Sequence, residues 1–287
     1  MIKTCLLGLG RTGIVVAEQL LKSLDFELVS VIARPNSPKK GHQIVDFLTT
    51  DKNLTIMSSD SVNEEHTKKQ FEVSIDFTTA EAALKNARIL AEKGVHQVIG
   101  TTGFNNMQIY ELKNIAKKHK IGLVYAPNIS LGINLLLTLV KTVSRLIPDY
   151  DVEITESHHR HKKDSPSGTA IKIANEISAI KGIKSADYSF GRKGNQLREN
   201  NEIGIHAIRA GGIVGVHKVL FAGESDEIEL THRSYSRVVF AEGALRAARF
   251  IKGRQGFFCM EDVLFGDDSM DEMLEINEAN QEEVFYQ

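Results

Sequence analysis

The first 33 residues constrain the fold more than any other part of the chain. An apolar, strand-like run at 3–7 leads into the turn GLGRTG. After the turn, Ile14, Ala17, Leu20, Leu21 and Leu24 recur at helical spacing over 11–24, and a second apolar run follows at 28–33. A strand, a glycine turn, a helix and a second strand make a βαβ unit, whose two strands lie parallel in one sheet. Gly8, Gly10 and Gly13 have the GxGxxG spacing that lets a pyrophosphate approach backbone amides at a helix start. Arg11 and Thr12 fall inside the same turn and are expected to line the cofactor site with the three glycines. Further strand-like runs at 54–57, 73–77, 97–100 and 122–125, most of them separated by helical stretches, extend the alternation. The expected fold is therefore α/β, a Rossmann-type doubly wound parallel sheet.

The second strand ends in VIARPNSPKK, with Ala33 and Arg34 where an NAD enzyme usually carries an acid for the adenosine ribose. A carboxylate there would repel a 2′-phosphate, whereas a guanidinium can grip one in a forked geometry. Arg34 thus points to NADPH as the preferred cofactor, with NADH possible, and Lys39 and Lys40 follow in the same loop. An ordinary solvated basic loop is the alternative.

The pattern changes after residue 130. A helix is expected at 131–146, a strand at 151–155 and a helix at 168–179. Extended segments at 203–209, 213–221 and 227–234, joined by AGG and AGESD turns, suggest an antiparallel meander. This predicts a second α+β domain with an open mixed sheet, one face of which suits an oligomer. A last helix at 238–251 is expected to return to the first domain. The expected division is 1–129 with 238–266 for the dinucleotide, 130–237 for substrate binding and oligomerisation, and 267–287 as an extension with eight acidic residues and no basic one.

Composition narrows the function classes. The longest apolar runs, such as LLLTLV, fall far short of the roughly 20 residues a spanning helix needs. Met1 opens directly into a strand-like run without a secretory leader, and the chain has two cysteines, Cys5 and Cys259. The expectation is a cytoplasmic protein without a membrane partner. A formal net charge of −2 gives no global reason for nucleic acid binding, so local charge must carry any such claim.

Local charge is concentrated in ESHHRHKKDSPSGTA, residues 156–170, where three histidines, an arginine and two lysines are consecutive. If Ser167 caps a helix starting at Gly168, the amides of Gly168 and Thr169 face space that the cations also reach. His158, His159, Lys162, Lys163 and these amides together suit a dicarboxylate, and a histidine can act as a general acid near neutral pH. Zinc is disfavoured, because positions 158, 159 and 161 on one extended segment would not share a face. Glu153, Glu156 and Asp164 dilute the field a phosphate backbone would need. A solvated charged loop is the remaining alternative.

These residues resemble the signature of the 4-hydroxy-tetrahydrodipicolinate reductase (dihydrodipicolinate reductase) family. DFTTAEAALKNA, VIGTTGF, NISLGIN, EIGIHAIRAGGIVGVHKVLFAG and ELTHRSYSRVVFAEGALRAARFI are similar to family segments in the same order, over nearly the whole chain. The resemblance implies reduction of a cyclic substrate of lysine and diaminopimelate synthesis by NADH or NADPH. It implies His158 and Lys162 as proton donors, and His159, Gly168 and Thr169 as carboxylate ligands. Gly100, Thr101 and Thr102 would face the nicotinamide side, and Ala126, Pro127, Asn128 and Ile129 would close over the cofactor. It also implies a homotetramer. GLGRTG departs from the commoner GxxGxxG turn of the family by one residue. Two other functions fit the same residues: an NADP-binding regulatory protein, or a reductase of another amino-acid-derived imine.

Overall fold

A computed structural model of the chain describes residues 1–266; the expected acidic extension, 267–287, lies outside the described residues. The described residues form two compact units, Met1–Leu131 with those from Phe240 to Gly266, and Gly132–Val239.

The first unit contains β1 (Ile2–Leu7), α1 (Arg11–Lys22), β2 (Phe26–Ala33), β3 (Ile56–Ser58), α2 (Val62–Lys69), β4 (Val73–Asp76), α3 (Ala80–Ala91), β5 (His96–Ile99), α4 (Asn106–His119) and β6 (Gly122–Tyr125). The second contributes α5 (Leu131–Leu146), β7 (Asp151–His158), α6 (Gly168–Lys181), β8 (Tyr188–Ser189), β9 (Ile203–Arg209), β10 (Gly215–Ala222) and β11 (Glu227–Ser234). α7 (Val238–Ile251), β12 (Gly256–Phe258) and α8 (Met260–Phe265) complete the first unit.

Seven strands of the first unit pair in the order β12-β6-β5-β4-β1-β2-β3, every neighbour parallel. Apolar runs such as Cys5–Leu6–Leu7 form strands buried on both faces. Leu6 packs with Val16 and Leu20 of α1 and Ala244 and Ala248 of α7, while Cys5 and Leu7 pack with Val62 and Leu90 on the opposite face. β1 lies between β2 and β4, so the chain reverses its direction of winding there, and the crevice beyond the carboxyl ends of β1 and β4 is where such sheets take ligands.

The second unit's sheet has the order β11-β10-β7-β9-β8. α5 and α6 cover one face: Ile133, Leu137 and Val140 of α5 and Ile173 and Ile177 of α6 meet Val152, Ile154, Ile205, Val219 and Phe221. The expected three-strand meander is corrected here. β10 and β11 form an antiparallel hairpin, but β9 does not neighbour β10; β7 is inserted between them, parallel to β9 and antiparallel to β10. The connection after β9 therefore steps across a strand, which a short glycine link permits as readily as a hairpin. β7 is also longer than its apolar run, because pairing on both edges carries the polar residues Glu156, Ser157 and His158 along as strand.

Candidate active site

In the first unit, the glycine turn is shaped by contacts that exclude side chains. Gly8 has φ of +93° and an added Cβ would lie 2.6 Å from the Phe77 carbonyl oxygen; at Gly13 it would lie 1.8 Å from the Gly8 oxygen. Gly10 has nothing within 4 Å of that position. It is also the N-cap of α1 and offers no side-chain acceptor, unlike Thr79 at α3, Asn105 at α4 and Ser167 at α6. The first amides of α1 are thus left to an external anion. A cavity of about 460 Å³ opens here, lined among others by Gly8, Gly10, Arg34, Lys39, Phe77 and Thr78. Lys39 donates to the Leu9 carbonyl at 2.8 Å and lies 5.0 Å over the Phe47 ring, tying the loop after β2 to the turn, while Arg34 is exposed at the cavity wall. Arg11 is exposed and Thr12 half-buried at the start of α1.

The segments at the ends of β5 and β6 are held from behind. Asp76, buried at the end of β4, accepts from the Thr78 amide at 2.8 Å, the Thr101 hydroxyl at 3.2 Å and Asn86 at 3.0 Å. Burial pushes its carboxyl up from the usual range, against these hydrogen bonds. Gly100 lies against Phe77, whose ring is 2.4 Å from where a Cβ would stand, and Thr102 is exposed. Ala126 donates to the Ile99 carbonyl at 2.9 Å, Pro127 is exposed, and Asn128 accepts from the Ser130 amide at 3.2 Å. Ile129 is buried against α7, where Gly243 lets the backbones approach: a Cβ there would lie 1.8 Å from the Ile129 oxygen. These features fit a dinucleotide, with an uncapped helix start for the pyrophosphate and Arg34 on the cavity wall.

In the second unit, the cationic segment begins as strand and ends as helix. His158 is the last residue of β7, and Ser167 caps α6, its hydroxyl accepting from the Ala170 amide at 3.2 Å. Glu156 joins the two. Its side chain has no exposed surface, and it accepts from Arg209 at 2.6 and 2.8 Å, His158 Nδ1 at 2.6 Å and the Ser167 amide at 2.9 Å. Burial pulls its carboxyl upward, but these donors outweigh it and hold the group below the usual range. Removing one partner of such a buried pair typically costs about 3–5 kcal/mol.

Burial lowers the His158 pKa, Glu156 opposes that, and Lys162 and Arg209 add to the lowering. Lys162 pairs with Asp164 at 2.8 Å, and the Asp164 carbonyl accepts from Arg209 at 2.7 Å, fastening the loop between β7 and α6. His159 is half-buried, and its Nδ1 is buried without a hydrogen-bond partner among the described residues, a polar atom suited to a ligand. Gly168 is exposed with open space around its Cβ position, and Thr169 is half-buried beside it.

Sequence reasoning overlooked Arg209 and His217 and took Glu156 only as a diluting charge. One signal was available for Glu156: it follows Val152 and Ile154 at period two, the position of a core residue. His217, opposite Glu156 on β10, is 4% exposed, meets Ser167 Oγ at 3.1 Å and stands edge-on to His158 with centroids 5.2 Å apart. Burial, then the positive neighbours, pull its pKa down to about 3. The unfolded chain, titrating near 6.5, binds more protons between those values, so this contribution is intact above pH 6.5 and lost as pH falls towards 3. Urea denaturation at pH 7.5 and 5.5 should show stability falling by up to about 1.4 kcal/mol per pH unit from this group, and His217→Asn should flatten the dependence.

The comparisons with known proteins identify the family to which both units belong. The N-terminal domain profile of dihydrodipicolinate reductase matches residues 2–129, and the C-terminal domain profile matches residues 132–264. The 4-hydroxy-tetrahydrodipicolinate reductase of Methanocaldococcus jannaschii is 38% identical over 268 residues, 92% of this chain and 97% of that protein. The protein of the same name from Archaeoglobus fulgidus is 46% identical over 207 residues, 71% of this chain and 79% of that protein. A solved dipicolinate-bound dihydrodipicolinate reductase from Paenisporosarcina sp. TG-14 has the same fold, with a TM-score of 0.76 at 24% identity over 90% of this chain and 97% of that one. With both domain profiles matched in order, and a relative 38% identical over 92% of its length, this chain belongs to the dihydrodipicolinate reductase family.

Proposed function

We propose that the chain reduces 4-hydroxy-tetrahydrodipicolinate to tetrahydrodipicolinate, the step of lysine and diaminopimelate synthesis for which its relatives are named. The observation that carries this reading is the Glu156 junction, which brings a histidine at a strand end and the capped start of α6 into one polar cluster. NADPH, when bound, supplies the hydride. His159, Gly168 and Thr169 hold the substrate's carboxylates, using the cationic segment and the helix start. Addition of hydride to a carbon conjugated with an imine moves an electron pair towards nitrogen, and His158 and Lys162 stabilise that charge and deliver the proton. Gly8, Gly10, Arg11, Thr12 and Gly13 hold the pyrophosphate. Gly100, Thr101, Thr102 and 126–129 position the nicotinamide end.

The test is substrate-dependent loss of nicotinamide absorbance, with substrate formed in place from pyruvate and aspartate semialdehyde. Oxidation of neither cofactor by folded protein would rule the reading out.

Arg34 makes NADPH the preferred cofactor. Arg34→Ala should raise the KM for NADPH by roughly 10- to 100-fold, the value of one or two charge-assisted hydrogen bonds, and leave that for NADH nearly unchanged. Equal effects on both would refute the 2′-phosphate argument. None of the helices among the described residues is long and apolar enough to cross a membrane; we place the enzyme in the cytoplasm. We assign it a homotetramer formed through the sheet face opposite α5 and α6.

A further inference from the structure

We propose that Glu156 is a positioning residue for His158: its clamped carboxylate fixes the imidazole with hydrogen on Nδ1 and leaves Nε2 as the nitrogen presented to the substrate. The inference rests on the proposed role of His158 as proton donor and names the device that aims it.

The argument starts from the strand. Alternation along β7 sends Glu156 to the buried face with Val152 and Ile154, where an ionised carboxylate is tolerated only if its oxygens are served. Oε1 receives Arg209 Nη2 at 2.6 Å and the Ser167 amide at 2.9 Å; Oε2 receives Arg209 Nη1 at 2.8 Å and His158 Nδ1 at 2.6 Å. An ionised carboxylate only accepts, so the ring nitrogen facing it carries hydrogen. Arg209 faces His158 in the register of β9, so strand pairing holds the clamp in place. On the other side of the ring, Gly215 matters: a Cβ there would lie 3.2 Å from Nε2, and glycine leaves that side uncrowded.

The charged and titratable groups around His158 come from each neighbouring element. They are Glu156 on its own strand, Arg209 on β9, His217 on β10 and Lys162 in the following loop. Arg209 and Lys162 oppose a positive imidazole and His217 is held neutral, so Glu156 alone favours the protonated ring. The same residue therefore sets both the tautomer and the readiness of His158 to carry a proton.

Neutron diffraction from perdeuterated wild-type crystals reads the tautomer directly. Deuterium on Nδ1 is expected, and deuterium on Nε2 alone overturns the proposal, whether or not any variant folds. In Glu156→Gln, kcat should fall roughly 100-fold while the KM for NADPH stays within about twofold, and the loss of kcat at high pH should begin at a lower pH than in wild type. A folded Glu156→Gln enzyme with the wild-type pH profile also overturns it, since a purely structural carboxylate would leave that profile in place. Undiminished turnover by His158→Gln would sink the proton-donor reading instead, and the neutron result would still decide the orientation of the ring.

Discussion

His158→Ala is expected to lower kcat by roughly 10²- to 10⁴-fold, the contribution of a positioned general acid. Lys162→Ala should do the same. The double variant should be little worse than either single one, because groups that deliver one proton as a unit are not additive. The KM for NADPH should change little, since the glycine turn and the Arg34 wall belong to the other compact unit. His161→Ala is the control: that ring is exposed, and its loss should leave turnover near wild type. Single-turnover measurements on folded protein separate the proton step from binding. Unchanged single-turnover rates in both His158→Ala and Lys162→Ala would remove these residues from the reaction.

The second large effect belongs to the glycine turn. At Gly13 an added methyl would stand 1.8 Å from the Gly8 carbonyl oxygen, a backbone atom that cannot swing aside, and Gly8 is itself pressed against the Phe77 carbonyl. Gly13→Ala must push α1 away from β1. The expected cost is about 3 kcal/mol or more, the upper end of overpacking, together with loss of NADPH binding. Gly10→Ala provides the contrast, because its methyl meets nothing within 4 Å but enters the cavity wall. Its stability should stay within about 0.5 kcal/mol of wild type while NADPH affinity falls. Urea denaturation and a fluorescence titration with NADPH distinguish the two. Equal stability losses would mean that the turn does not use these glycines differently.

Much of the architecture was legible because the chain punctuates itself. The strands Gly122–Tyr125, Ile203–Arg209 and Glu227–Ser234 and the helices Leu131–Leu146 and Val238–Ile251 have the bounds their apolar patterns and turns imply. β12 was missed, since an edge strand of three residues paired with β6 alone carries no periodic signal. The order of the second sheet was illegible for a different reason. Short links between β9, β10 and β11 look alike whether neighbours pair or a fourth strand enters between them, and only the whole sheet decides. Within the site, the cationic segment was conspicuous in sequence, but its organising acid was not. Glu156 gains meaning from Arg209, 53 residues later, and that partnership is written in the β7 and β9 register.

All seven strands of the first sheet run in one direction, so its two rims have unlike duties. Gly8, Thr78, Gly100 and Ala126 lie just past strand ends on one rim. The opposite rim is made by links that enter strands, such as Lys93 and the exposed Gly94 just before β5. An engineer wanting a dye, an affinity tag or a tethering point has an address there: attachment at Lys93 reports on the enzyme from the rim opposite the cofactor cavity.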